Sequence, residues 1–111
     1  MRVIDVGTEF YHRLANRDEK QGDGKYTAIE FRKRYLSHLD SSEAWGSSIE
    51  PITFDFKNVK KIGPSFASEA FAYFMKYAKP QEFFEKVRFI NISDVQLMII
   101  KEELESGYKG K

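Results

Sequence analysis

The chain has 111 residues, of which 41% are hydrophobic, 15% aromatic and 32% charged, a balance too apolar for disorder and too charged for a membrane protein, so one soluble domain is expected. Eighteen basic residues against seventeen acidic ones leave a formal charge of +1, and no overall field draws such a chain to nucleic acid or to an anionic membrane. The absence of cysteine excludes disulfides, thiol catalysis and thiolate metal sites.

The opening residues lack the longer apolar stretch of a signal peptide, which makes a cytoplasmic location the expectation. Arg2 to Val6 mixes charged and β-branched residues and stops at Gly7, predicting a short strand. Glu9 to Arg13 is too short for periodicity to choose between a hairpin and a helical turn. Asn16 to Lys25 holds two glycines and no apolar side chain, the composition of a solvated loop. Its Gly22-Asp-Gly24 lacks the spacing and the Lys-Ser/Thr ending of a phosphate-binding loop.

Thr27-Ala-Ile-Glu30 has the spacing of a capping box, and Phe31, Tyr35, Leu36 and Leu39 fall on one stripe, predicting a helix to about Leu39. Asp40 to Ser48 reads as a loop anchored by Trp45. Ile52, Phe54 and Phe56 alternate with Thr53 and Asp55 behind Pro51, the clearest strand in the chain. After Gly63-Pro64-Ser65, apolar residues recur at helical spacing from Phe66 to Ala78, where Lys79-Pro80 stops them. Val87 to Ile92 reads as a central strand, and Ser93-Asp-Val-Gln96 is a second capping-box spacing that opens a helix to about Glu105. Strands alternating with helices predict the α/β class: a small mixed sheet with packed helices and a right-handed crossover between parallel strands.

The stretch Ile52 to Phe74 runs from a strand through an Asp-bearing turn to a serine at a helix start, and it resembles a STAS domain. A nearer resemblance is to the STAS-like bacterial domains of unknown function. It rests on Val6-Gly-Thr-Glu-Phe10, Gly24-Lys-Tyr-Thr-Ala-Ile-Glu-Phe31-Arg32 and Ser65-Phe-Ala-Ser-Glu69-Ala-Phe71, which occur in the family's order. The resemblance implies a non-enzymatic regulatory or protein-interaction module. It puts Ser65 at the position that is phosphorylated in anti-sigma-factor antagonists. It also points the partner surface, for a histidine-kinase-like ATPase, to Gly63 through Tyr73: Gly63, Pro64, Phe66, Ser68, Glu69 and Tyr73. The acidic residue and the glycine that flank the antagonists' serine are missing here, where Gly63-Pro64-Ser65-Phe66 stands.

Read from the residues themselves, Ser65 is a candidate phosphoacceptor or a plain helix N-cap. Glu69 lies one turn further on, where a carboxylate and a hydroxyl can share a face, yet no histidine is placed by sequence to activate the serine, so no enzyme chemistry is expected. Neither His12 nor His38 belongs to a metal-ligand pattern, and no metal or cofactor is expected. Arg32 borders the apolar stripe of its helix and suits a structural tether to a carboxylate or carbonyl, or a ligand clamp. Lys60 and Lys61, with Lys57, concentrate positive charge ahead of the Ser65 turn. Phe66, Tyr73 and Tyr77 form a stripe displaced from the main apolar face; either Phe83 and Phe84 cover it from the next loop, or it binds a partner. The alternative to an interaction module is a small-ligand or nucleotide-binding domain that uses the Ser65 helix start, Arg32 and the lysines around Lys60.

Overall fold

The computed structural model describes residues 2–15 and 26–110. Strand β3 (Ile52–Asp55) lies between β1 (Arg2–Asp5) and β5 (Val87–Ile90), and both pairings are parallel. All four β3 residues are buried, as a central strand requires. A second parallel pair joins β2 (Arg13–Leu14) to β4 (Lys61–Ile62). The described sheets are therefore parallel throughout rather than mixed, because helices or long crossovers separate every strand from its partner in sequence. The α/β class stands. The expected loop Asn16 to Lys25, with its Gly22-Asp-Gly24, lies outside the described residues.

One sheet face makes the core. Ile4, Phe54 and Phe89 sit side by side in register, and Phe31 and Phe71 pack over them, with Phe54 5.0 Å from Phe31 and Phe71 5.3 Å from Phe89. The opposite face presents Val3 and Ile90, which are 51% and 42% exposed.

Glu9 to Arg13, undecided from sequence, contains the end of a one-turn helix, α1 (Val6–Glu9), and the start of β2. Helix α2 (Ala28–Tyr35) begins where Thr27 Oγ1 accepts from the Glu30 N–H at 3.1 Å. The reciprocal half of the expected box is absent: Glu30 turns its carboxylate to Arg34 instead. A 3₁₀ turn, Ser37–Leu39, carries the chain on to Leu39. The segment read as a loop contains a short helix, α3 (Ser42–Gly46), capped by Ser41, and the Trp45 indole donates to the Leu39 carbonyl at 2.9 Å.

The helix expected from Phe66 to Ala78 divides into α4 (Pro64–Ala70) and a 3₁₀ segment, Ala72–Lys76. The tighter segment has a period of three residues. It turns Phe71 and Phe74 inward together, as it does Ala72, Met75 and Ala78, and leaves Tyr73 and Lys76 stacked outside. Phe83 and Phe84 lie on a helix rather than in a loop, because Pro80, which ends one segment, also suits the first position of the next, α5 (Pro80–Lys86). There they pack on Phe74, Phe89 and Trp45 and do not cover the Tyr73 stripe. The second capping box forms in full: Ser93 Oγ accepts from the Gln96 N–H and Gln96 Oε1 from the Ser93 N–H, both at 3.1 Å. Helix α6 (Asp94–Lys109) then runs past the expected end and packs on α4 and the 3₁₀ segment.

Candidate functional site

The Ser65 turn is held by the β2–β4 pair. The Lys60 N–H donates to the His12 carbonyl and the Gly63 N–H to the Leu14 carbonyl, each at 2.8 Å, so β4 runs beside β2 and delivers the chain to α4. Gly63 is the cap residue and Pro64 takes the first helical position. Ser65 is therefore the second residue of α4 and not its N-cap, a correction that follows from proline's preference for the first turn. Ser65 is half-buried, and its hydroxyl makes no hydrogen bond among the described residues.

The same pairing assembles a cationic patch that the sequence only half revealed. Arg13 is the register partner of Lys61, and both are exposed, as are Lys60 and His12 beside them. Neighbouring residues of a parallel pair point to one side of the sheet, so two like charges stand together there, an arrangement that costs stability unless an anion relieves it. Arg13, Lys60 and Lys61 have no ion-pair partner among the described residues. Arg13 lies almost fifty residues from Lys61, and only the strand pairing makes it visible.

Arg32, Glu69 and Tyr73 do meet. The Arg32 guanidinium donates to the Glu69 carbonyl at 2.7 Å, lies 3.2 Å from its carboxylate, and sits 3.8 Å from the centroid of the Tyr73 ring. It ties α2 to α4 and engages the Arg32 guanidinium with the Glu69 carboxylate. The Tyr73 and Tyr77 hydroxyls both donate to Asp40, at 3.0 and 2.8 Å, and the Lys76 ammonium lies 3.7 Å from the centre of the Tyr73 ring. The Tyr77 hydroxyl first, then Tyr73 and the Lys76 charge, hold the Asp40 carboxyl below its usual range. The displaced aromatic stripe is thus closed by polar groups. Phe66, expected on the partner surface, instead belongs to the core, fully buried against Phe31 and Phe10. Ser68 is half-buried and Pro64 exposed on the same helix.

Arg32→Ala is expected to cost about 1–3 kcal/mol, since it strands the Glu69 carbonyl and uncovers the Tyr73 ring. The urea midpoint checks this, and an unchanged midpoint would dissolve the tether.

A second polar cluster, unforeseen from the sequence, lies at the carboxyl ends of β1 and β3. Asp5 and Asp55 are register partners, and Lys57 bridges them at 3.8 and 3.6 Å. The Lys57 N–H and the Asn91 amide donate to Asp55, and the Asn58 amide to Asp5. The Lys57 N–H first, then Asn91, depress the Asp55 pKa. With its acceptors occupied, this cluster fastens the turns that follow the strands. Among the described residues no group of three or more histidines and acids is gathered to hold a metal ion, and no helix is long and apolar enough to cross a membrane.

A family model described as STAS-like domain of unknown function (DUF4325) matches residues 27–97, a span that holds α2, β3, the Ser65 turn and the start of α6. Comparison with curated proteins finds no match, and neither does comparison with solved structures.

Proposed function

The chain belongs to the family of STAS-like domains of unknown function, and from that membership we propose that it is a non-enzymatic regulatory module which docks an acidic protein surface on the β2–β4 patch beside Ser65. The observation that carries the reading is the unrelieved pair Arg13 and Lys61, flanked by Lys60 and two residues ahead of the Gly63-Pro64 turn. An acidic partner supplies the missing counter-charge and is steered to the patch over several ångströms. Ser65 provides the switch: its hydroxyl serves no cap, so modification removes no structural bond. A phosphate there adds about two negative charges, which offset the neighbouring cations and repel the same partner. By the resemblance to anti-sigma-factor antagonists, the modifying partner is an ATPase of the histidine-kinase-like type.

Two measurements test this together. Intact-mass analysis with peptide mapping across Lys61 to Lys76, on protein purified from its own cells, is expected to find a phosphate on Ser65 under some growth condition. Affinity capture from the same cells is expected to retain one partner on the wild type and on Ser65→Ala, and to lose it on Ser65→Glu and Lys61→Glu. Equal capture by all four proteins, or an unmodified Ser65 under every condition, would overturn the switch.

A further inference from the structure

We propose that the outer edge of β5, with the groove between that strand and α6, binds an extended segment of another protein in which apolar side chains alternate with carboxylates, added to the sheet as a fourth strand. The groove has a volume of about 370 Å³; Phe84, Phe89, Ile90 and Leu97 line it, Arg88 and Lys101 are its charged members, and it contains no carboxylate. A smaller hollow that also touches Leu97 and Lys101 continues it to Met98. Ile90, Val95 and Met98 are three of the four large apolar side chains exposed among the described residues, and a surface of that kind beside a sheet edge marks an interaction site. None of these residues belongs to the β2–β4 patch, so the edge and the patch stand or fall separately.

The backbone supplies the first reason. β5 ends the order β1–β3–β5, and among the described residues no strand pairs with its outer side. The Phe56 N–H donates to the Ile90 carbonyl at 2.9 Å, so Ile90 and Arg88 turn their backbone groups inward to β3. By alternation, Val87 and Phe89 turn theirs outward. The Val87 N–H donates to the Phe83 carbonyl at the end of α5, which leaves the Val87 carbonyl and both backbone groups of Phe89 without a partner among the described residues. Such a row of open donors and acceptors is a template for one more strand.

Charge decides which kind of strand fits. Along β5 the Phe89 side chain takes the core side of the sheet, and Arg88 and Ile90 take the open face. A strand laid on the edge therefore sets alternate side chains against Phe84 and Leu97, and the others beside Ile90 and Arg88. Neither Arg88 nor Lys101 has an ion-pair partner among the described residues; Asp94 and Glu105, beside Lys101 on the same helix, do not pair with it. A second copy of this chain brings no counter-charge, because an antiparallel self-pair centred on Phe89 sets Arg88 opposite Ile90. Arg88 thus guards the edge against its own kind and leaves it open to a strand that carries a carboxylate.

Titration of ¹⁵N-labelled protein with the peptide acetyl-Val-Glu-Val-Glu-Val-amide and, separately, with its lysine-for-glutamate counterpart, at equal ionic strength, tests the edge. Saturable amide shifts at Phe89, Ile90 and Leu97 are expected with the glutamate peptide, together with slowed hydrogen exchange of the Phe89 amide and about tenfold weaker binding of the lysine peptide. Arg88→Glu, on an exposed side chain outside the core, is expected to invert that preference. Of two glutamate peptides N-methylated at every second amide, in alternate phase, one is expected to bind and the other not, because only one row of N–H groups faces the edge. No saturable shift with the glutamate peptide, equal binding of the two charge types, an unchanged preference in Arg88→Glu or equal behaviour of the two methylated peptides would overturn the proposal. So would dimerisation of the free protein that Ile90→Lys abolishes, which gives the edge to a second copy.

Discussion

Phe31→Ala is expected to remove about 3–5 kcal/mol of stability, the range for truncating a buried phenylalanine. The side chain has no exposed surface, and its ring centre lies 5.0 Å from those of Tyr35 and Phe54, 5.2 Å from Phe10, 5.6 Å from Phe66 and 5.7 Å from Phe71. Apart from Tyr35 on the same helix, those neighbours come from the end of α1, the central strand, and α4 and the residue that follows it, so the vacated volume borders several elements at once. Each is fixed elsewhere: β3 by its pairings on both sides, α4 by Arg32 and α6. Collapse into the hole is therefore limited, which is the condition for a cost at the upper end. Since a domain of this size has about 5–15 kcal/mol in all, the variant should populate unfolded chain near physiological temperature. A urea titration followed by circular dichroism reads the change, and a loss under about 1 kcal/mol would show that the ring is not at the centre of the core.

Gly7→Ala is expected to cost about 3 kcal/mol, by crowding rather than by a hole. A methyl group at this position would lie 2.1 Å from the Asn58 carbonyl oxygen and 2.5 Å from its Cβ. Backbone cannot rotate out of the way as a flexible side chain does, so α1 or the turn after β3 must move. Either movement pulls on the bonds that Asn58 makes to Asp5 and Thr8 and on the Lys57 bridge to Asp55. The effect should therefore appear both as a lower urea midpoint and as amide chemical-shift changes at Asp5, Lys57 and Asn58. A variant as stable as the wild type, with those signals unmoved, would refute the close approach of the two turns.

The α/β alternation, the clearest strand at Ile52 and the capping box at Ser93 were legible in the sequence because each is written in residues close to one another. What escaped needs the third dimension. Ser65 followed a Gly-Pro pair that fits either of two helix starts two residues apart, and only the backbone decides that Gly63 is the cap. The break in the long aromatic helix was hidden because periods of 3.0 and 3.6 residues select nearly the same apolar positions over two turns. Arg32 was readable as a tether, but the identity of its partner, thirty-seven residues away, was not. The Arg13–Lys61 pair and the Asp5–Asp55 bridge exist only through strand register.

The parallel register also sets the order in which this molecule can be made. Arg2 pairs with Ile52, and Ile52 with Val87, so β1 waits about fifty residues of synthesis for its neighbour, and the sheet is complete only after β5 has followed. Closing such long loops precedes any return from the contacts they bring together, which slows folding relative to helical domains of equal size. Until then Val3 and Ile4 present an unpaired strand edge. The charged neighbours Arg2 and Asp5, set at either end of that strand, act as guards against misdirected pairing during synthesis.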